Sequence, residues 1–313
     1  MAVWRTLNEK GVDALAQLIA ACESYDNPPY RTSLAEIEEL FSPQTRWQAI
    51  AAYDDAGEMM AYSYVHRTEQ GAGRVVCGGA VHPRARELGL GTYAINWQLQ
   101  AAKTLLPTSG TIVTHVDDGH DDLATVLDEL GFEWTQTFYE LRAKLEEEVP
   151  SPEPVPFVEI AAWNEELDEQ IRTYVNNFTP DGQALSLAAW QLGRSAFAAD
   201  ASFVALDKNT DRSTIAGFVL CSRYEQDWDA LGITEGYVDI LVVDEKWRDT
   251  SLGKQLLTQV MGSFQTAGLE AVAAAVASNT DGGATSLYHE LGFRTVGRTR
   301  TFTMQYAPPR ANQ

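Results

Sequence analysis

The chain has 313 residues, and its 44 acidic residues against 23 basic ones give a formal net charge of −21. Hydrophobic residues make up 45% and charged residues 21%, a composition that is typical of globular proteins and excludes a disordered chain. Because so negative a field repels phosphate backbones and anionic lipid headgroups, nucleic acid and membrane surfaces are poor partners. The length favours two domains of ordinary size.

The three cysteines, Cys22, Cys77 and Cys221, are odd in number and widely spaced, with no Cys-x-x-Cys pair. This pattern predicts neither a disulfide framework nor a zinc site, and we expect no bound metal. The N-terminal residues lack the apolar core of a signal peptide, and no stretch approaches the ~18 apolar residues that span a bilayer. We therefore expect a cytoplasmic protein with reduced thiols.

The first half of the chain predicts strands that alternate with amphipathic helices, including one hairpin whose turn is Asp54–Gly57. In chain order, the predicted strands are Val3–Leu7, Trp47–Tyr53, Glu58–His66, Gly73–Val81, Thr111–Val116 and Phe132–Arg142. The predicted helices are Gly11–Ser24, Ser33–Leu40, Gly91–Leu105 and Asp121–Leu130.

A proline-rich segment, Glu146–Pro156, then divides the chain, since alternating prolines block helices and interior strands. We predict a first domain over 1–145, a linker over 146–156 and a second domain over 157–313. In the second domain the predicted strands are Val155–Ile160, Ser202–Leu206, Thr214–Cys221, Tyr237–Val243, Ala271–Val276 and Thr295–Tyr306, and the predicted helices are Glu166–Val175, Leu252–Ala267 and Thr285–Leu291. The fold class is therefore α+β, with a mixed sheet in each half.

The two halves are copies of one domain. The string at Glu129–Phe132, Glu-Leu-Gly-Phe, recurs at Glu290–Phe293, which is 161 residues further on. The string at Arg86–Gly91 has a counterpart at Arg248–Gly253, which is 162 residues further on. Two landmarks that agree on the spacing within one residue indicate a diverged tandem repeat.

The second landmark predicts an anion site. Arg-x-x-Gly-x-Gly between a strand and a helix lets the backbone turn tightly, and several N–H groups then point at one position beside the helix dipole. A pyrophosphate is the natural ligand of such a site. A Rossmann site would need a third glycine, and Ala94 stands at that position instead.

This motif and its context resemble the GCN5-related N-acetyltransferases (GNAT). The family signature, Arg/Gln-x-x-Gly-x-Gly/Ala, matches Arg86–Gly91 intact and Arg248–Gly253 with Ser251 in place of a glycine. The closing signature, Leu-Tyr-x-x-Leu-Gly-Phe, matches Leu287–Phe293, whereas Leu127 stands at the tyrosine position of the first copy. The resemblance covers nearly the whole chain as two tandem GNAT domains, a layout similar to the mycothiol synthase type. It implies two mixed, mostly antiparallel twisted sheets that are flanked by helices.

The resemblance also implies an acyl-CoA donor, normally acetyl-CoA, whose pyrophosphate binds the loop amides while its pantetheine arm pairs with the preceding strand. A main-chain N–H of that strand would polarise the thioester carbonyl. The implied cofactor-binding residues are Leu241, Val242, Val243, Arg248, Asp249, Thr250, Ser251, Leu252, Gly253 and Lys254 in the second copy, and Val81, Arg86, Glu87, Leu88, Gly89, Leu90, Gly91 and Thr92 in the first.

The second copy is predicted to be the catalytic one. It keeps Tyr288, which the resemblance implies to protonate the leaving CoA thiolate, and Asp239 in the strand before the motif. Asp239 is the predicted base, with Glu235 as a competitor. The first copy has no carboxylate over 75–81, so we expect it to be structural or to hold a non-reacting acyl-CoA. The plainer alternatives are that Tyr288 only packs and that Asp239 only holds its strand.

The expected reaction is acetyl transfer to a primary amine of a small metabolite or antibiotic, by direct attack in a ternary complex. The segment Tyr224–Asp229 carries three carboxylates and two aromatic rings, which suit a cationic acceptor, although a solvated loop is the alternative. Protein lysine acetylation and a non-catalytic CoA-binding or scaffold role stay open. The chain is expected to be a monomer or a homodimer.

Overall fold

The computed structural model describes residues 2–41, 46–67, 73–106, 108–145, 152–177, 185–209, 214–278 and 283–307. Part of the predicted linker, 146–151, lies outside them. The strands are β1 Val3–Thr6, β2 Arg46–Tyr53, β3 Met59–Arg67, β4 Arg74–Val81, β5 Gly110–Asp117, β6 Glu133–Lys144, β7 Val158–Ala162, β8 Phe203–Asp207, β9 Thr214–Ser222, β10 Glu235–Val243, β11 Ala271–Ala277 and β12 Arg294–Tyr306. The helices are α1 Val12–Asp26, α2 Leu34–Glu39, α3 Leu90–Leu105, α4 Asp121–Glu129, α5 Glu165–Asn177, α6 Leu187–Gln191, α7 Trp228–Leu231, α8 Leu252–Thr266 and α9 Gly283–Glu290.

The predicted α+β fold is confirmed, and most predicted elements agree with the structure within a few residues. The short helices α6 and α7 were missed, because a helix of five residues or fewer is too short to show a hydrophobic period. Capping fixes one early boundary clearly. Ser33 accepts a hydrogen bond from the Glu36 N–H while the Glu36 carboxylate accepts one from the Ser33 N–H, so α2 begins with a complete capping box.

The chain forms two compact units. Unit 1 contains Met1–Thr135, Asp181–Gly193 and Arg300–Gln313. Its strand order is β1-β2-β3-β4-β5-β12, with β4 and β5 parallel and the pairs from β1 to β4 antiparallel. Apolar residues cover both faces of this sheet, one cluster under α1 and α2 and another under α3 and α4.

Unit 2 contains Gln136–Pro180 and Arg194–Thr299. Its strand order is β6-β11-β10-β9-β8-β7, with β10 and β11 parallel and the other determined pairs antiparallel. The core packs α8 on the sheet, and its large fully buried side chains include Leu256, Leu257 and Phe264. Burial of each such side chain contributes about 1.5–3 kcal/mol before entropic costs.

The two units exchange their closing strands relative to the two halves of the sequence. Strand β6 comes from the first half, yet it pairs along seven residues with β11, from Ala271↔Lys144 to Ala277↔Phe138. Its inward side chains, Leu141 and Ala143, belong to the core of unit 2. The end of β12 comes from the second half, and Phe302 packs in the core of unit 1. Each unit therefore takes side chains from both halves of the chain.

The described cysteines are all free and buried. Within the described ranges, no helix is long and apolar enough to cross a membrane.

Candidate active site

The candidate site is a gap between two parallel strands of unit 2. Strands β10 and β11 pair only from Glu235↔Ala271 to Val238↔Ala274, although β10 continues to Val243. On its other side β10 stays paired with β9, and the register shifts between Val238 and Ile240. This irregularity is a β-bulge, which bends the strand and re-aims the bulged side chain. It leaves residues 239–243 with one strand edge that an extended ligand can pair with.

Asp239 is the residue at this bulge. Its carboxylate accepts hydrogen bonds from the Ser222 hydroxyl at 2.6 Å and from the Tyr224 hydroxyl at 2.9 Å. The residue stays solvent accessible. Desolvation by the surrounding protein nevertheless raises the pKa of Asp239, and the two hydroxyl donors oppose that shift only in part. The two hydroxyl groups thus hold the carboxylate in one orientation, and no cation among the described residues forms an ion pair with it.

Glu235 has a different environment from the one its candidate role requires. It is 8% exposed, and its Oε2 and Oε1 lie 2.5 and 3.2 Å from the Nε and Nη2 of Arg142. The Trp228 indole N–H donates to the Glu235 carbonyl at 3.0 Å. A carboxylate bound in this bidentate way is already paired with a cation. We therefore interpret Glu235 as a structural partner of Arg142.

A carboxylate that sequence reasoning missed lies beside the gap. Glu140 on β6 accepts a 3.0 Å hydrogen bond from the Tyr237 hydroxyl on β10. The bond passes over β11, where Ala273 pairs with Tyr237 and Ala275 pairs with Glu140. Because alanine has no side chain beyond Cβ, residues on the two flanking strands can meet above it. The alanine-rich string of β11 is the signal that could have found this contact.

Tyr288 lies on the opposite face of the sheet from these carboxylates. It belongs to the buried cluster that contains Val238 and the α8 side chains, and its ring packs edge-on against Phe293 at 5.0 Å. It is 6% exposed. Its hydroxyl has no hydrogen-bond partner among the described residues, and burial raises the pKa of Tyr288, with the nearby Cys221 thiol adding to the shift. The phenol therefore stays protonated and has a free donor.

The phosphate motif of unit 2 forms the predicted turn between β10 and α8. Ser251 precedes the helix at φ −72°, a region that any residue adopts, so the missing glycine costs no strain here. At Gly253 a Cβ would lie 3.1 Å from the Leu287 side chain, which explains why the motif keeps this glycine. No acceptor among the described residues takes the main-chain N–H groups of Asp249, Ser251, Gly253 and Lys254. These donors are available to an anion at the helix N-terminus.

The two motif arginines differ in their partners. Arg248 is exposed and forms no ion pair with any described residue. Arg86 in unit 1 is bound by Asp26, with Nη1–Oδ1 and Nη2–Oδ2 distances of 2.7 and 2.5 Å, and it lies over the Tyr25 ring. Lys254 lies 3.6 Å from the Glu290 carboxylate. Unit 2 therefore presents an exposed guanidinium that no described residue pairs with, whereas the arginine of unit 1 is bound at the end of α1.

Unit 1 has the same turn, between β4 and α3, but side chains fill the other parts of its site. Gly89 has φ +82°, a conformation that favours glycine. The backbone conformation is therefore a sufficient reason for the glycine at this position of the motif. The loop N–H groups that lack an acceptor among the described residues are those of Glu87, Leu88, Gly89, Leu90, Gly91 and Thr92.

The strand gap recurs in unit 1, but the side chains at the two predicted catalytic positions differ. Strands β4 and β5 separate after Cys77↔Thr114, one residue before Gly78. The Tyr64 side chain fills the space that a Cβ on Gly78 would need, and Gln98 donates to the Gly78 carbonyl at 2.8 Å. Leu127, at the tyrosine position, is buried in the core. The gap of unit 1 thus contains neither a carboxylate nor a phenol at the two predicted positions.

The acidic segment before β10 contributes its aromatic residues to the site. Tyr224 contacts Asp239, and Trp228 donates to the Glu235 carbonyl. Glu225 and Asp229 are exposed. Within the described ranges, no cluster of three or more His, Cys, Asp or Glu side chains could hold a metal ion.

The stretch of sequence that contains the bulged strand, the strand gap and the turn before α8 matches a known enzyme family. The sequence profile of the acetyltransferase (GNAT) family matches residues 137–293. The chain therefore belongs to the GNAT acetyltransferase family. The match begins in β6, at the same place as unit 2, and covers both Asp239 and Tyr288.

Solved structures of the family share the fold over almost the full length. A GCN5-related N-acetyltransferase from Sphaerobacter thermophilus is similar, with 21% identity, a TM-score of 0.72, and coverage of 98% of this chain and 96% of that one. A tandem GNAT protein from the clavulanic acid biosynthesis pathway has 13% identity, a TM-score of 0.75 and coverage of 98% and 99%. At these identities the likeness shows the fold and the tandem layout. No curated protein sequence matches the chain significantly.

Proposed function

We propose that unit 2 transfers an acetyl group from acetyl-CoA to a primary amine of a small molecule. The observation that carries this proposal is the strand gap of β10 and β11, which has Asp239 at the bulge on one face and the Tyr288 phenol on the other. The free amides of the turn before α8 and the exposed guanidinium of Arg248 suit the pyrophosphate of the donor.

In the proposed step the acceptor amine binds as an ammonium ion against Asp239 and loses one proton. The amine nitrogen then attacks the thioester carbon, and a main-chain N–H of 240–243 stabilises the oxyanion that forms. The carbon–sulfur bond breaks, and the CoA thiolate takes a proton from the Tyr288 hydroxyl. The amide nitrogen gives up its second proton, which restores the Tyr288 hydroxyl by way of solvent. The products are the acetamide, free CoA and one released proton.

The acceptor is expected to be a cation of modest size. Asp239 has hydroxyl donors but no cation in contact, so an ammonium group would complete its coordination. Unit 1 is proposed to be structural or to hold an acyl-CoA that does not react. The expected cytoplasmic location and the monomer or homodimer state stay predictions.

Turnover tests the proposal directly. The protein is incubated with acetyl-CoA and a panel of primary amines, and released CoA is read with a thiol reagent, since the three cysteines are buried and give little background. Acetylation of at least one amine, lost in Asp239→Asn and retained in the exposed control Glu159→Gln, supports the proposal. No CoA release with any amine, although acetyl-CoA binds, would instead favour the non-catalytic CoA-binding role.

A further inference from the structure

Glu140 occupies an unusual position beside the gap. On β11 its neighbour is Ala275, which is exposed, and on β12 a Cβ at Gly297 would lie 3.8 Å from the Glu140 Cβ. Neither neighbour has a side chain that could cover the carboxylate. The residue thus lies beside the first residue of β11 that no longer pairs with β10, although it belongs to a strand from the first half of the sequence.

No cation among the described residues forms an ion pair with Glu140. Arg142 on β6 is committed to Glu235 on β10 through two contacts of 2.5 and 3.2 Å. The groups that set the ionisation of Glu140 are Tyr237 and Glu235 on β10 and Arg142 on β6, whereas its neighbours Ala275 on β11 and Gly297 on β12 carry no charge. Burial, aided by the Glu235 charge, raises the pKa of Glu140 to about 6.

Tyr237 interacts electrostatically with both Glu140 and Asp239. Its hydroxyl donates to Glu140, and the charges of both Glu140 and Asp239 add to the burial that raises the pKa of Tyr237. Asp239 already accepts two hydroxyl hydrogen bonds, from Ser222 and Tyr224, whereas Glu140 accepts one. The two carboxylates are therefore suited to different tasks, Asp239 to hold an ammonium group and Glu140 to take up a proton.

We propose that Glu140 receives the proton that the acceptor amine loses, by way of the Tyr237 hydroxyl, while Asp239 anchors the amine. This inference rests on the proposed acetyl transfer. In the step, an N–H bond of the ammonium breaks and its proton forms a new bond to the Tyr237 oxygen. The original O–H bond of Tyr237 breaks, and that proton bonds to a Glu140 oxygen. The amine is left neutral and nucleophilic, Tyr237 is unchanged, and Glu140 becomes a neutral acid that later releases its proton to water.

The test compares an alkylamine that the wild-type protein acetylates with its β,β,β-trifluoro analogue, which has a similar shape but is largely unprotonated at pH 7. For the alkylamine, we expect Glu140→Gln and Tyr237→Phe each to lower kcat about 100-fold with little change in KM. Asp239→Asn should instead act mainly through KM. For the fluorinated amine the loss in Glu140→Gln and Tyr237→Phe should shrink to less than about 10-fold, because no proton has to be removed before attack.

The pH profile supplies a second readout. The wild-type kcat/KM should rise with pH through about 6, and Glu140→Gln should lose this limb. Glutamine still accepts the Tyr237 hydrogen bond, so we expect the variant to fold, and Tyr237→Phe tests the same route from its other end. Glu159→Gln, which removes one exposed carboxylate on β7, is the matched control.

The outcomes separate the two proposals. Equal losses for both amines, or no loss in Glu140→Gln, would overturn the proton route and leave the acetyl transfer intact. Absence of turnover by the wild-type protein would overturn the proposed function and this route with it.

Discussion

Gly78 and Asp239 occupy equivalent positions in the two repeats. Each follows the last residue at which a central strand pairs with its parallel neighbour, Cys77↔Thr114 in unit 1 and Val238↔Ala274 in unit 2. The backbone therefore opens the same gap twice, and the side chains at the gap decide what each opening can do. In unit 1 the Tyr64 ring occupies the space that a side chain at Gly78 would need. In unit 2 the equivalent position carries the Asp239 carboxylate. We attribute the difference in predicted activity to this divergence.

The first prediction concerns Tyr288→Phe. The ring would keep its edge-on contact with Phe293, and the lost hydroxyl has no partner among the described residues, so thermal stability should be unchanged. Turnover should fall about 100-fold near pH 7, because the CoA thiolate then leaves without a proton donor. The loss should shrink above pH ~8.5, where a free thiolate is stable in water. Full turnover at pH 7 would show that Tyr288 only packs.

The second prediction concerns the motif arginines. Arg248→Ala should weaken acetyl-CoA binding about 10-fold in a calorimetric titration, because one charge-assisted contact to the diphosphate contributes about 1.5–3 kcal/mol. Arg86→Ala is the matched control, since Arg86 is already bound to Asp26. It should leave the affinity of unit 2 unchanged. An equal effect of the two substitutions would contradict the assignment of the donor to unit 2.

The third prediction concerns Glu235→Gln, which leaves Arg142 half-buried without its counter-charge. Because breaking a buried ion pair costs about 3–5 kcal/mol, the free energy of unfolding should fall by a value in that range or somewhat less. The rate per folded molecule should change little. Glu159→Gln breaks an exposed pair with Lys208 and should cost less than about 1 kcal/mol. Loss of turnover in fully folded Glu235→Gln would restore this residue as the competing base.

The fourth prediction is a pH dependence of stability. Glu140 has a pKa raised from 4.5 to about 6 in the folded state, so the folded chain binds more protons than the unfolded chain between these values. Stability from this group is fully present below pH ~4.5 and is lost as the pH rises through about 6, by a total of about 2 kcal/mol. The glutamine of Glu140→Gln is neutral at every pH. The free energy of unfolding of this variant should therefore rise relative to that of the wild type as the pH increases over this interval.

Chemical denaturation at several pH values between 4 and 8 measures this difference. A constant difference across the range would show that Glu140 does not titrate in the folded protein. A variant that becomes more stable at pH 7 while it turns over more slowly would agree with a functional carboxylate kept at a cost in stability.

Short-range patterns in the sequence predict three parts of the candidate site. The glycine turn before α8, Tyr288 in the closing signature and Asp239 in the preceding strand all follow from strings of a few residues. The partners of Arg86 and Arg248 could not be predicted, because both arginines stand at the same position of the motif. The arginine binds Asp26 in unit 1 and is exposed to solvent in unit 2.

Glu140 could not be predicted as part of the site, because its position depends on a strand pairing between distant parts of the sequence. It lies in the first half of the sequence, and it reaches the site only because β6 pairs with β11 of unit 2. No local pattern in β6 announces this partner. The small residues of β11 could have indicated that side chains meet across it, but only once the neighbouring strand was known.

The most direct test of the account is single-turnover acetylation by two matched variants, Asp239→Asn in unit 2 and Gly78→Ala in unit 1. Both are mixed with acetyl-CoA and an accepted amine, and the acetylated product is measured by mass spectrometry. We predict that, at an amine concentration well below KM, Asp239→Asn lowers product formation by about 100-fold or more, while Gly78→Ala forms product at the wild-type rate after correction for the folded fraction. The reverse pattern, with product lost only in the Gly78 variant, would place the chemistry in unit 1 and contradict the account.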